Sequence, residues 1–585
     1  MNVVIAASLL PLGVVVPIAG AIASMLLALA SRLAAAVAAI AAMTATTALL
    51  TVIAPTVLAG NGRIVSHYLG HWGPVDGAAL GVAFAADPFG MTFAWITAAI
   101  GTLLLIYVQS EIGRLGKREF GFLLSLMQLL LAAIIGTALT ADTINMFVWF
   151  EVAALASYGL TGFFLTRPTA LEAAFKTLVL TSIAGFAVFV GASLLYADHG
   201  ALNVGQLGRA LTHGVTRPDM LAVADLLAGY ATKAGIMPFH AWLPDAHTAP
   251  HGAVSALFSA LMYDIGIIGI TRLMLQILPA HDGVSARTLF TVLGAVTAVA
   301  GAALTLAQDD LKRLLAWDTV SQMGVLAMGF ATANADSVAG ATYHMINHAL
   351  FKAMLFLCAG TVVHITGKAR LSEMGGLARR RPLIAAGFCV GVAAIAGIPP
   401  LNGYASVGLV HQGLMDAGDW AGFAAAELAQ ILTIAALCRA AYLAFFRRRG
   451  APYAHLEPIH GGVVFALVML GAGCVAFGVL PGTVIGLAAA PAASALLHPQ
   501  LYATGVLGGN ASLPPLTVHF DYADPANLLV ALGSVAVGVA LAALYLRIPE
   551  PAPIRWLRAV HTGSVNDYAG FVAVGMVGCA VVLML

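Results

Sequence analysis

Run after run of about twenty apolar residues, joined by short polar connections, fills this chain from end to end. Hydrocarbon offers no water to satisfy backbone N–H and C=O groups, so each run must close its hydrogen bonds internally as a helix. Composition agrees: 61% of the 585 residues are hydrophobic and 9% charged, where a soluble domain carries about 25% charged residues. The reading is an all-α polytopic membrane protein with about sixteen transmembrane helices. The twelfth window, 383–413, is too long for one straight span and holds Ile398-Pro399-Pro400, so a broken helix is expected there. The net charge of +1 favours no class of partner, and no basic run suits nucleic acid.

The connections are asymmetric in charge. With the N-terminus placed outside, the inner ones hold Arg32, Arg114, Lys117, Arg118, Arg167, Lys312, Arg313, Lys368, Arg370, Arg379–Arg381, Arg447–Arg449, Arg547, Arg555 and Arg558, 18 of the 27 cations. The outer side keeps Arg63, Arg209, Arg217, Arg272 and Arg287, and an outer loop over 481–526 contains neither Lys nor Arg. This is the pattern of a multi-pass protein in a bacterial-type plasma membrane. Asn2–Ala30 lacks a basic leader segment and a clear cleavage site, so it reads as a first span rather than a signal peptide. The five cysteines (Cys358, Cys389, Cys438, Cys474, Cys579) lie far apart with no CxxC spacing and read as small apolar side chains. With no P-loop and no GxGxxG after a strand, no cofactor is expected in this chain.

One stretch departs from plain apolar helix. Ala228–His251 carries Lys233 five residues before Pro238 and meets a second proline at Pro244. A lysine inside an apolar run must face protein or water. Pro238 breaks the helix just beyond it, and irregular backbone at membrane depth survives only around a cavity. Ala234-Gly235-Ile236-Met237-Pro238-Phe239 in span seven echoes Ala396-Gly397-Ile398-Pro399-Pro400-Leu401 in span twelve. Five spans separate the two, an odd number, so they run in opposite directions, as in an inverted-topology repeat. The expected organisation is 1–118 as three N-terminal helices, 119–273 and 286–446 as two five-helix repeats, and 461–585 as the C-terminal helices.

Other ionisable residues also fall inside spans. Glu151 lies nine residues from Asp142 and sixteen from Arg167, near the middle of its helix, where Lys233 would offset its burial. His344, His348 and Lys352 recur every four residues, a stripe about 12 Å long on one helix face. Three titratable groups on a single face suit an ion relay, because imidazole and a desolvated amine both exchange protons. Lys176 either snorkels to the inner surface or joins a path, and Glu172 one turn earlier could simply pair with it. Asp264 lies deep in span eight and His411 in the second half of span twelve, while Asp318 divides between solvated and membrane roles. Asp309, Asp310, Lys312 and Arg313 read mainly as solvated. His247 and His251 share an i, i+4 spacing, but Pro250 interrupts the helix and no third ligand is evident, so no metal is expected.

ATKAGIMPFHAWLPDAHTAPHGAVSALFSALM, DDLKRLLAWDTVSQMG, YHMINHALFKAMLFLCAGTVVHITG and MGGLARRRP together resemble the antiporter-like membrane subunits. That family includes the large proton-pumping subunits of respiratory complex I, Mrp-type sodium/proton antiporter subunits and membrane subunits of energy-converting hydrogenases. The resemblance runs from about 87 to 446, and the C-terminal VHTGSVNDYAGFVAVG is similar to the tail of the longer members. It implies a fourteen-helix core of two inverted five-helix repeats, broken at helices seven and twelve, plus two C-terminal helices. It also implies that Glu151 and Lys233 serve the inlet half, that Lys176 matches a sixth-helix lysine, and that His344, His348 and Lys352 form the central relay.

Three departures stand out. Val407 occupies the place of the usual twelfth-helix ionisable residue, with His411 one turn on; Asp264 stands where many relatives have lysine; and Asp318 stands where serine is common. Residues 547–566 are also too few for the long lateral helix of the distal complex I subunit. The resulting expectation is a proton-translocating subunit, or one exchanging sodium for protons, working with other membrane subunits and lipid. The alternatives are a structural or assembly subunit with impaired conduction, motivated by Val407, and an ion-driven subunit of inorganic-carbon uptake.

Overall fold

The computed structural model describes residues 2–584 apart from 60–61, 112, 114, 280, 282, 449–452, 454–455 and 549. Arg114 and Arg449 among the inner cations, and Leu585 at the end of the last expected span, lie outside the described residues. Fourteen described helices are long and apolar enough to cross a membrane. The other two expected spans are the broken ones. Arg217–Ala234 carries Arg217, Asp219, Asp225 and Lys233, and the twelfth divides into Pro382–Ile395 and Gly403–Asp416.

Local chemistry fixes the helix ends. Asp142, Asp310 and Asn334 each accept a backbone N–H from three residues ahead, at 2.8, 2.9 and 2.8 Å, and so start Thr143–Thr161, Leu311–Ala331 and Ala335–Thr366. Small residues then set the packing. A Cβ on Gly294 would stand 2.8 Å from the Gly324 carbonyl oxygen, so Val284–Leu306 and Leu311–Ala331 touch backbone to backbone. Gly191 does the same for Pro168–His199 against Arg217–Ala234, at 2.6 Å from the Ala222 carbonyl oxygen. Gly252–Ile277 and Leu311–Ala331 are wholly enclosed, whereas the first two helices and the last two keep most of their surface outward. The centre of the bundle is therefore where the charged residues gather.

The two breaks have the same backbone. Arg217–Ala234 ends at Gly235 (φ 76°), with Ile236 N–H donating to Ala231 C=O at 3.0 Å. Pro382–Ile395 is followed by Gly397 (φ 69°), with Ile398 N–H donating to Ala393 C=O at 3.1 Å. Both glycines are left-handed, a conformation that costs a side-chain-bearing residue about 1–2 kcal/mol. Met237–Pro238 and Pro399–Pro400 are both cis.

Three features differ from the sequence reading. Over 481–526, read as a loop, the chain is helical from Pro481 to Leu497 and again over Pro499–Val506, with a 92° bend between. Ala490–Leu497 is buried against Ala335–Thr366 and Pro88–Glu111. Missing cations fit burial as well as they fit an outer loop, and Pro481, Pro491 and Pro499 keep the stretch from forming one straight span. Arg272, assigned to an outer connection, is fully buried and pairs with Asp87 at 2.9 Å. A two-stranded antiparallel hairpin, Val65–Tyr68 with Ala83–Ala86, joins the otherwise helical fold. Between the last two spans lies a single nine-residue helix, Ala552–Val560.

Candidate ion-translocation path

Ala335–Thr366 carries His344, His348 and Lys352, all fully buried. Lys352 Nζ stands 2.5 Å from Asp318 Oδ2 on the neighbouring Leu311–Ala331 and also donates to the Leu315 carbonyl at 3.1 Å. Thr433 donates to the other Asp318 oxygen at 3.1 Å, which brings a third helix to the pair. Asp318 is thus a membrane-embedded partner rather than a solvated acid. Isolated, either charge would be costly to bury; paired and hydrogen-bonded, the two offset each other. One and two turns away, His344 bridges Ser406 Oγ (3.2 Å at Nδ1) and Gln322 Oε1 (2.9 Å at Nε2). His348 lies between, its ring 6.3 Å from that of His344 and edge-on to Tyr263 at 4.8 Å, and neither ring nitrogen has a hydrogen-bond partner among the described residues.

Asp264 follows Tyr263 directly and is buried, and neither carboxylate oxygen is hydrogen-bonded among the described residues. A π-helical turn, Phe258–Met262, precedes it in the same span, a local widening often found at functional sites. Periodicity in the sequence gave no sign of that turn.

Lys233 sits in the last turn before Gly235. Trp242 Nε1 donates to the Thr232 carbonyl at 2.7 Å and folds the broken segment back over that turn. The Lys233 Nζ is fully buried, 5.1 Å from the centroid of the Phe150 ring, and has no hydrogen-bond partner among the described residues. Glu151, the next residue after Phe150, packs its carboxylate directly on Gly185 of Pro168–His199. Glu151 and Lys233 influence each other electrostatically, and no contact ion pair joins them among the described residues.

On the face holding most of the cations a cavity of about 970 Å³ opens, lined by Lys176, Asp245, Lys312, Arg313, His364 and His561 among others. Lys176 pairs with both Glu172 (2.5 Å) and Asp245 (3.0 Å), and Asp245 also binds Arg313 at 3.0 Å. The open choice for Lys176 resolves to a nearly buried, doubly paired residue on the cavity wall. Lys312, read as solvated, is buried and donates to the carbonyls of Thr248 (2.8 Å) and Pro250 (2.5 Å), steadying the chain after the break. His240, deeper in the break, meets His561 of the C-terminal connection Nε2 to Nε2 at 2.8 Å. His247 faces Trp242, Phe258 and Phe356, whereas His251 Nδ1 accepts from Ala253 N–H, so the two have different neighbours.

His411 is buried on Gly403–Asp416, and its Nδ1 lies 3.6 Å from Glu427 Oε2 on Trp420–Ala441. Ser534, from the added helix Pro525–Tyr545, donates a short hydrogen bond to the other Glu427 oxygen. Sequence reasoning singled out neither Glu427 nor Asp245. Glu427 carries the signal used for Lys233, a lone charge inside an apolar run; Asp245 lies in a loop where acids are ordinary.

Residues 140–433 match the family described as NADH:quinone oxidoreductase/Mrp antiporter, TM, half of the chain and the part that holds both breaks and the histidine stripe. The chain belongs to this family. Among its relatives in the NADH:quinone oxidoreductase/Mrp antiporter family, a Na(+)/H(+) antiporter subunit from Bacillus subtilis is 34% identical over 344 residues, 59% of this chain and 69% of that protein. A Na(+)/H(+) antiporter subunit from Alkalihalophilus pseudofirmus is 28% identical over 580 residues, 89% of this chain and 69% of that one. A chain of the Mrp complex from Dietzia superposes with a TM-score of 0.76 at 25% identity, covering 87% of this chain and all of its own.

Proposed function

We propose that this family member is a proton-translocating subunit, of the kind that drives sodium/proton antiport or respiratory pumping within a multisubunit membrane complex. The observation that carries this is the set of buried titratable side chains on the enclosed helices: Lys233, Asp264, His344, His348 and the Lys352–Asp318 pair, with the His348 ring beside both His344 and Tyr263. Charge sealed in the centre of a membrane bundle marks an ion path. Buried polar groups bond to protein or to water, so the free nitrogens of His348 and oxygens of Asp264 suit short chains of internal water.

On this reading protons reach Glu151 and Lys233 from the cavity beside Lys176, cross along the histidine stripe, and exchange with the opposite face at His411. The side chains alternate between charged and neutral as each proton passes. A charge crossing the membrane field does work of about 2.3 kcal/mol per 100 mV. The shared geometry at Gly235 and Gly397 supports reading 119–273 and 286–446 as inverted repeats. The cations beside the large cavity support an N-terminus on the outer side. The named antiporter relatives support other membrane subunits as partners and sodium as the exchanged ion.

A second reading, an assembly subunit with impaired conduction, draws on Val407, which puts an apolar side chain in the far cavity. The test is proton uptake in vesicles holding the reconstituted complex. Lys233→Ala and Lys352→Ala abolish uptake if the chain conducts; uptake at the unsubstituted rate in both would sink the first reading.

A further inference from the structure

Beyond His344 the proposed path needs a place to exchange protons with the far side, and the His411 region supplies more than one side chain. Ser406, which touches His344 Nδ1, lies on the same helix as His411, and His411 is close enough to His344 for their charges to interact. Next come the 3.6 Å contact with Glu427 and the short Ser534 hydrogen bond to the far carboxylate oxygen. Three helices thus converge on one carboxylate. A cavity of about 50 Å³ lies among His411, Glu427, Ser534, Val407 and Tyr404, room enough for a water or two. The helix connection at 417–419 lies about two turns from Glu427, near 12 Å at 1.5 Å per residue. Met415 and Phe423, which flank that connection on either side, both line the cavity. Outside the cavity lining, Gln412 on the same helix as His411 donates to Asp336 at 3.3 Å.

We propose that His411, Glu427 and Ser534 form the proton-exchange site at the 417–419 face, with the Glu427 carboxylate as its terminal proton carrier and His411 handing protons between it and His344. This rests on the translocation reading above. Burying a carboxylate is costly unless it is compensated, and His411 is the titratable group set against it. In the forward step a proton on His411 Nδ1 passes to Glu427 Oε2, leaving neutral imidazole and a neutral acid, and the acid then gives its proton to cavity water. Ser534 orients the carboxylate and so links this site to the C-terminal helix that carries it.

The test uses the assembled complex in vesicles, comparing proton flux in Glu427→Gln, Ser534→Ala and Lys352→Ala at matched assembly. Glu427→Gln keeps the shape and the Ser534 contact but cannot ionise. A drop in flux of about a hundredfold or more with normal assembly is expected, and a smaller one for Ser534→Ala. Adding Val407→Glu to Glu427→Gln returns a carboxylate to the same cavity and restores part of the flux. Normal flux in Glu427→Gln while Lys352→Ala is dead overturns the exchange site alone. Normal flux in both overturns the translocation reading and this site with it. Failure of Glu427→Gln to assemble, with Val407→Glu restoring neither assembly nor flux, reduces Glu427 to a structural tie and also overturns the proposal.

Discussion

Lys352 Nζ stands 2.5 Å from Asp318 Oδ2, both side chains sealed from solvent, and this pair ties the histidine helix to its neighbour at the centre of the bundle. On the proposed translocation reading, the contact serves structure and the path at once. Removing one partner of a buried pair costs about 3–5 kcal/mol, whereas replacing both with apolar groups of similar size is often neutral. Asp318→Asn therefore lowers thermal stability and stops flux. The double substitution Lys352→Met with Asp318→Leu recovers stability but not flux. Thermal unfolding of the purified complex, set beside vesicle uptake, separates the two roles; full flux in the double variant would sink the path.

Gly185 leaves room for the Glu151 carboxylate, since a Cβ there would collide with its Oε1. Alanine in a helix interior is about 0.5–1 kcal/mol more favourable than glycine. Gly185→Ala is expected to leave the fold as stable or more so while displacing Glu151 and slowing uptake. Stability and flux measured on the same preparation should move apart.

The turn after Lys233 depends on the left-handed backbone of Gly235, and a Cβ there would also meet Leu243. Gly235→Ala costs about 1–2 kcal/mol from backbone strain alone, shifts the Lys233 turn and cuts flux. With Gly235 kept, Trp242→Phe loses the bond to the Thr232 carbonyl, about 0.5–1.5 kcal/mol, and adds the cost of the void left by the buried indole, while leaving the Gly235 backbone unstrained.

His561, in the connection before the last helix, lies against the break through His240 and packs edge-on to Trp317 at 4.8 Å. Burial disfavours its imidazolium and lowers its pKa from the usual 6.5; nearby Arg313 acts the same way, against Asp245 and the Leu557 carbonyl. A base with a depressed pKa binds fewer protons docked than undocked. Docking is therefore unaffected well above pH 6.5 and weakens as pH falls below it. Hydrogen exchange across 555–565 should speed up on going from neutral to mildly acid pH, and His561→Gln should flatten that dependence.

Much of the proposed path stands out in the sequence because hydrocarbon makes charge conspicuous. Lys233, Glu151 and the His344–His348–Lys352 stripe each stand out against apolar neighbours, and helical spacing alone puts the stripe on one face. Asp318 and Lys176 stayed open because a charge near a helix end reads the same whether it is solvated or paired. Only the packing of Leu311–Ala331 against Ala335–Thr366 decided the first, and Asp245 across the cavity the second. Pro481–Leu497 was missed since lack of charge describes a buried helix as well as an outer loop.

The sequence by itself determined that the chain folds as membrane helices, where two of them break, and that Glu151, Lys233 and the His344–His348–Lys352 stripe lie within spans, because a helix in lipid must satisfy its own backbone and tolerates few ionised groups. Tertiary structure decided which charges meet. The Lys352–Asp318 bond, the separation of Lys233 from Glu151 and the closure of Glu427 by Ser534 all join residues from different helices. Their distances depend on how glycine-lined helices approach one another, a property that no single helix carries.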